Sequence, residues 1–234
     1  RGATTPPLLE HTIGQALDAT VARHGGREAL VVPHQGVRWA WAELAERADA
    51  VAAGLLAMGL QPGDRVGIWA PNCAEWVLTQ FATARAGLVL VNVNPAYRRS
   101  ELEYALNKVG CTALVMAPAL KSSDYLAIVN SLAPELAGSA PGQLHAAALP
   151  TLRWVVRLGT EPTPGMLNFD AIAGQATSAS RAQLAALGPT LRATDAINIQ
   201  FTSGTTGNPK GATLTHHNVV NNARFIAQAM DFTE

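Results

Sequence analysis

Apolar residues along this chain fall into two alternating rhythms. Leu44, Ala48, Val51, Ala52, Leu55 and Met58 recur at helical spacing, and Gly59 followed by Pro62 supplies a stop. Arg65-Val66-Gly67-Ile68-Trp69-Ala70 is short and largely apolar, which predicts a buried strand closed by Pro71-Asn72. A helix is expected over Glu75–Ala86 with Gly87 beyond it, then a strand over Leu88–Val93. Ser100-Glu101-Leu102-Glu103 has the spacing of a capping box, in which the hydroxyl and the carboxylate each take an orphan backbone N–H. That helix runs to about Val109, with Gly110 as its left-handed cap, and Thr112–Met116 reads as the next strand.

The middle is less regular. Pro134–Pro150, rich in Ala, Gly and Pro, reads as a long surface loop, Thr151–Leu158 as a strand and Thr160–Gly165 as a turn. Ser178–Leu187 reads as a helix, Ala196–Phe201 as a strand and Val219–Met230 as a helix, with no repeat of fixed period. Strand, helix and strand at this spacing predict an α/β fold of mostly parallel strands covered by helices.

Composition narrows the function classes. With 234 residues and 48% hydrophobic residues, the chain can fill a sizeable core without staples. Seventeen basic residues balance seventeen acidic ones and form no like-charged block, so nothing suggests a nucleic-acid partner. The longest apolar runs are far short of the roughly 20 residues of a membrane span. Cys73 and Cys111 have no metal-like spacing and are expected to be reduced in a cytoplasmic core. The chain starts without Met and stops at Asp231-Phe232-Thr233-Glu234, just after an apolar helical run, and is expected to be a fragment.

Candidate chemistry concentrates in one loop, Thr202-Ser203-Gly204-Thr205-Thr206-Gly207-Asn208-Pro209-Lys210-Gly211, directly after a buried strand. Glycines let backbone N–H groups approach a ligand and converge on it, hydroxyls donate to phosphate oxygens, and a lysine brings mobile positive charge. The combination reads as a phosphate cradle; the bland alternative is an exposed polar turn. A Walker loop is a poorer match, because it needs Gly-Lys-Ser/Thr, whereas Pro209 precedes this lysine and Gly211 follows it.

Other residues carry weaker signals. His216 can line a substrate site or pack at a helix start capped by Thr215, whereas His11, His24, His34 and His145 are scattered. Trp69 and Trp76 suit sheet packing better than stacking on adenine. Tyr97 with Arg98-Arg99 fits a solvated loop, and no pair of acidic residues indicates general acid–base work.

Thr202–Gly211 resembles the phosphate-loop signature of the adenylate-forming superfamily, the acyl-CoA synthetase and AMP-binding group. The likeness continues through Ala212-Thr213-Leu214-Thr215-His216-His217-Asn218. Upstream, Gly63–Ile68, Pro71-Asn72 with Glu75-Trp76, Val91–Tyr97 and Glu101–Tyr104 also resemble it. Asn198–Phe201, Gly211–Leu214 and Asn218–Asn222 are most similar to the medium-chain acyl-CoA ligase branch, acyl-CoA synthetase family member 2 and its bacterial relatives.

The resemblance implies the N-terminal part of the large domain of such an enzyme. Residues 1–194 would form an α/β subdomain that includes a variable region 134–194. Residues 195–234 would begin a second subdomain, and the C-terminal lid domain would be absent. It also implies ATP, Mg²⁺ and CoA, with a fatty acid as the carboxylate and most metal ligands outside this chain. Thr202, Ser203, Thr205, Thr206 and Lys210 would contact the β- and γ-phosphates, and Gly204, Gly207 and Gly211 would allow the approach. No Tyr-Gly-x-Thr-Glu or Thr-Gly-Asp segment of that family is present, so the chain by itself is expected to be inactive. Two alternatives stay open: another adenylating enzyme, such as an aryl-acid ligase or peptide-synthetase adenylation domain, and a nucleotide-binding or structural module without catalysis.

Overall fold

The computed structural model describes residues 5–202 and 209–232. In chain order the elements are α1 (Ile13–His24), β1 (Glu28–Val32), β2 (Val37–Ala40), α2 (Trp41–Ala57), β3 (Arg65–Trp69) and α3 (Ala74–Arg85). They continue with β4 (Val89–Asn92), α4 (Arg99–Val109), β5 (Cys111–Met116), β6 (Ala119–Leu120), β7 (Ser123–Asp124) and α5 (Tyr125–Leu132). The last are β8 (Trp154–Arg157), β9 (Leu167–Asn168), α6 (Ser178–Leu187), β10 (Ala196–Thr202), β11 (Lys210–Thr215) and α7 (His216–Ala229).

Among the described residues seven strands form one sheet in the order β11-β10-β4-β3-β5-β8-β9. Every neighbouring pair is parallel except β10 with β11. The α/β expectation therefore holds. Val66, Ile68, Leu90, Val91, Leu114 and Val115 are almost fully buried, as a parallel sheet covered on both faces requires. The crossover from β3 through α3 reaches β4 on one side, and the crossover from β4 through α4 reaches β5 on the other. Right-handed connections then put α3 and α4 on opposite faces. Since β10 pairs with β4, residues on either side of position 194 contribute to one sheet.

Three local expectations are corrected. Helix α4 starts at Arg99, so Ser100 lies inside it; the extended residue is Arg98, whose N–H donates to the Glu101 carboxylate at 2.7 Å. Pro134–Pro150 is not simply a surface loop, because Leu136, Leu144, Ala146 and Leu149 are buried in the main core. Helix α7 starts at His216 rather than Val219, capped by the Thr215 hydroxyl accepting from Asn218 N–H at 3.2 Å.

Candidate active site

Strands β10 and β11 form a hairpin in which Thr202 is the cross-strand partner of Lys210. Directly opposed residues project to the same face of a sheet, so the Thr202 and Lys210 side chains leave the base of the tip on one face, and the Thr202 hydroxyl donates to the Lys210 carbonyl at 3.5 Å. Both residues are exposed. Ser203, Gly204, Thr205, Thr206, Gly207 and Asn208 lie outside the described residues. Because β10 runs parallel to β4, the tip opens at the carboxyl edge of the parallel strands, the edge where open α/β sheets bind ligands.

The usual crevice of such a sheet lies where the chain reverses direction, here between β3 and β5, and in this protein side chains fill it. Trp69 and Tyr125 stack with ring centroids 3.6 Å apart and planes 11° apart, and both are fully buried. The Trp69 indole N–H donates to the Asn94 carbonyl at 3.2 Å, and the Tyr125 hydroxyl donates to the Pro95 carbonyl. The aromatic pair thus packs the sheet and pins the 94–97 turn.

Helix α4 supports the described side of that tip. The Tyr104 hydroxyl donates to the Pro209 carbonyl at 3.3 Å. A Cβ on Gly211 would sit 3.1 Å from Ile199 Cγ2 and 3.7 Å from Val109 Cγ1, so the strand passes close to the helix end. Five helical residues rise about 7.5 Å and two strand residues about 6.8 Å, so the 104–209 and 109–211 contacts run in step. Sequence gave no signal for the Tyr104 contact, since its partner is a backbone carbonyl 105 positions away.

His216 follows β11 at the end opposite Lys210, roughly 20 Å of strand away. It is buried, and its Nδ1 accepts the Ile13 N–H at 3.1 Å. The structure thus separates it from the loop and makes it a fastening for α1. Next to it, Asn221 accepts from Leu9 N–H at 2.8 Å and donates to Leu9 O at 2.9 Å, so the 9–13 segment is clasped to α7. Burial lowers the His216 pKa from its ordinary 6.5, with the Asp195 carboxylate opposing. The unfolded chain therefore takes up this proton first, and stability falls as pH drops below about 6.5, by at most about 1.4 kcal/mol per pH unit. His216→Asn keeps an acceptor near the Nδ1 position without titrating. Its melting temperature should decline less than that of the unsubstituted chain between pH 6.5 and 5, and equal declines would contradict this role.

A cavity of about 630 Å³ lies at the opposite end of the sheet, between α1, α2, α3 and α6. Of the two arginines that line it, Arg85 and Arg181, Arg85 is tied to Asp18 at 2.9 Å and to Asp49, which makes it a helix tether and leaves it remote from the hairpin tip. Both cysteines are free and buried, and burial pushes the thiols up to about 11 for Cys73 and about 12 for Cys111. They are protonated packing groups, not nucleophiles. Among the described residues no group of His, Cys, Asp or Glu is arranged to hold a metal ion, and no helix is long and apolar enough to cross a membrane.

Comparison with known proteins agrees with this geometry. The rat (Rattus norvegicus) medium-chain acyl-CoA ligase ACSF2, mitochondrial, is 48% identical over 231 residues, which is 98% of this chain and 37% of that protein. The human (Homo sapiens) protein of the same name is 46% identical over 235 residues, 100% of this chain and 38% of that protein. The chain thus spans little more than a third of the length of these relatives. Among solved structures, the Mycobacterium smegmatis MbtA apo structure superposes with a TM-score of 0.74 at 25% identity, covering 97% of this chain and 38% of that one. The model of the AMP-binding enzyme family matches residues 17–234, which takes in the sheet, the hairpin and α7 together. With that span matched and the candidate loop at the ligand edge of the sheet, the chain belongs to the AMP-binding enzyme family.

Proposed function

We propose that this chain supplies the ATP phosphate-binding part of a fatty acyl-CoA ligase that acts on a medium-chain acid. The observation that carries the reading is the placement of Thr202 beside Lys210 at the carboxyl edge of the parallel strands. In the proposed reaction a carboxylate attacks the α-phosphate of ATP, giving an acyl-adenylate and pyrophosphate, and the CoA thiol then displaces AMP. The protein's task in the first step is in-line placement and neutralisation of charge on the leaving pyrophosphate. Thr202, Ser203, Thr205, Thr206 and Lys210 would donate to the β- and γ-phosphates. Gly204, Gly207 and Gly211 would keep side chains out of the way, with Asn208 and Pro209 shaping the turn before the lysine. Among the described residues no cluster of His, Cys, Asp or Glu is arranged to hold Mg²⁺. Two buried, unpaired thiols suit a reducing compartment such as the cytoplasm.

Carboxylate-dependent ATP–pyrophosphate exchange tests the reading. A protein that joins this chain to the further length its relatives have should exchange best with medium-chain fatty acids. The 234 residues by themselves should form no thioester. Exchange only with amino or aryl acids would move the assignment to another adenylating enzyme, and thioester formation by this chain alone would mean that the active site is misplaced.

A further inference from the structure

Pro209 and Lys210 share one rigid peptide plane, because the amide bond between them resists rotation. Proline fixes its own φ near −65°, so the orientation of that plane depends mainly on the Pro209 ψ angle. The plane is held at two points. Lys210 is anchored by its strand pairing with Thr202, and the carbonyl oxygen of Pro209 receives the Tyr104 hydroxyl at 3.3 Å. The Val109 contact at Gly211 lies beside it but is apolar and gives no direction. Tyr104 is half-buried on α4, an element that belongs to the sheet's β4–β5 crossover and contributes no residue to the loop.

We propose that Tyr104 is a positioning residue for the phosphate loop: its hydroxyl fixes the Pro209–Lys210 peptide and so aims the Lys210 side chain at the loop mouth. The inference rests on the phosphate-cradle reading and adds to it a residue on a different element. Tyr104 touches no substrate; it acts through Lys210. Its aromatic ring supplies packing that Phe would keep, whereas the hydrogen bond belongs to the hydroxyl alone.

The test compares the unsubstituted chain with Tyr104→Phe, using tripolyphosphate as the probe and backbone hydrogen exchange without ligand. Tyr104→Phe should speed exchange at Lys210 to Ala212 and weaken tripolyphosphate binding, each by roughly three- to tenfold. Val129→Ala, a core truncation in α5, should lower the melting temperature yet bind tripolyphosphate as the unsubstituted chain does. Equal affinity and equal exchange in Tyr104→Phe would overturn the Tyr104 assignment and leave the phosphate reading standing. A comparable affinity loss in Val129→Ala would also overturn it, since general loosening would then explain the effect. Failure of the unsubstituted chain to bind tripolyphosphate would remove the phosphate reading and this inference together.

Discussion

Lys210→Ala is expected to weaken binding of tripolyphosphate or ATP by about 10- to 100-fold, the effect of losing a charge-assisted hydrogen bond of roughly 1.5–3 kcal/mol. Lys210 is exposed, its side chain shares a face with the Thr202 hydroxyl, and among the described residues no carboxylate pairs with it. Its charge is therefore available to an anionic ligand. An exposed ion contact is screened by salt, so the difference between the two proteins should shrink as ionic strength rises. In a protein carrying the rest of the relatives' length, the same substitution should slow adenylation more than the later thioester step, because pyrophosphate leaves in the first. Lys210→Arg should recover part of the affinity, since it restores charge with a different donor geometry. Equal affinity of the Ala variant and the unsubstituted chain, measured by calorimetry at low salt, would remove Lys210 from the site.

Gly54→Ala is expected to destabilise the fold strongly, against what helix propensity alone says. Gly54 lies inside α2, where alanine would ordinarily gain about 1 kcal/mol. Here a Cβ would sit 2.0 Å from the Ile172 carbonyl oxygen and 2.8 Å from Ile172 Cγ2. Backbone must move to admit it, and the net cost should be about 3 kcal/mol or more. Ile172 is fully buried and belongs to the region expected to be variable in sequence, so the substitution also tests whether that region is docked on α2. Urea unfolding measures it: a lower midpoint supports the close contact, and an unchanged or higher midpoint would show that the 169–175 segment does not rest there.

The contrast at Gly54 shows where sequence carried structure and where it did not. The helices with a continuous apolar stripe, such as Leu44 to Leu55 on α2, were legible because burial on one face repeats every three to four residues. Strands β3, β4 and β5 were legible because strands covered on both faces are short and apolar throughout. Strand β11 was not legible: it is exposed from Lys210 to Thr213, so its strand character comes from pairing with β10 and not from any apolar pattern. Helix α1 and the β1–β2 hairpin escaped for a related reason. The partners that hold the start of α1 are distant in sequence, as the Ile13–His216 and Leu9–Asn221 bonds show, while β1 and β2 pair locally, Val32 with Val37, but stay largely half-exposed, so neither carries an apolar run. Ser100 misled because its spacing to Glu103 matched a capping box, whereas the chain turns into the helix two residues earlier, with Arg98 as the cap.

The candidate site was legible as composition and order, from Thr202 to Gly211, but not as geometry. That Thr202 faces Lys210 follows from the hairpin register, and that the crevice between β3 and β5 is occupied follows from the stacking of Trp69 on Tyr125. Neither pairing can be inferred from local spacing. Both narrow the proposed position of a phosphate chain more than the motif does by itself.

The central claim is that the tip of the β10–β11 hairpin binds the phosphates of ATP. Its most direct test is to titrate the isotopically labelled chain with tripolyphosphate and with Mg·ATP while following the backbone amide signals by NMR. The account predicts saturable shifts centred on Thr202 to Gly211 with both ligands, extending to Tyr104, and greatly reduced in Lys210→Ala. Shifts centred instead on the cavity beside Arg85, or no saturable shift with either ligand at millimolar concentration, would contradict it.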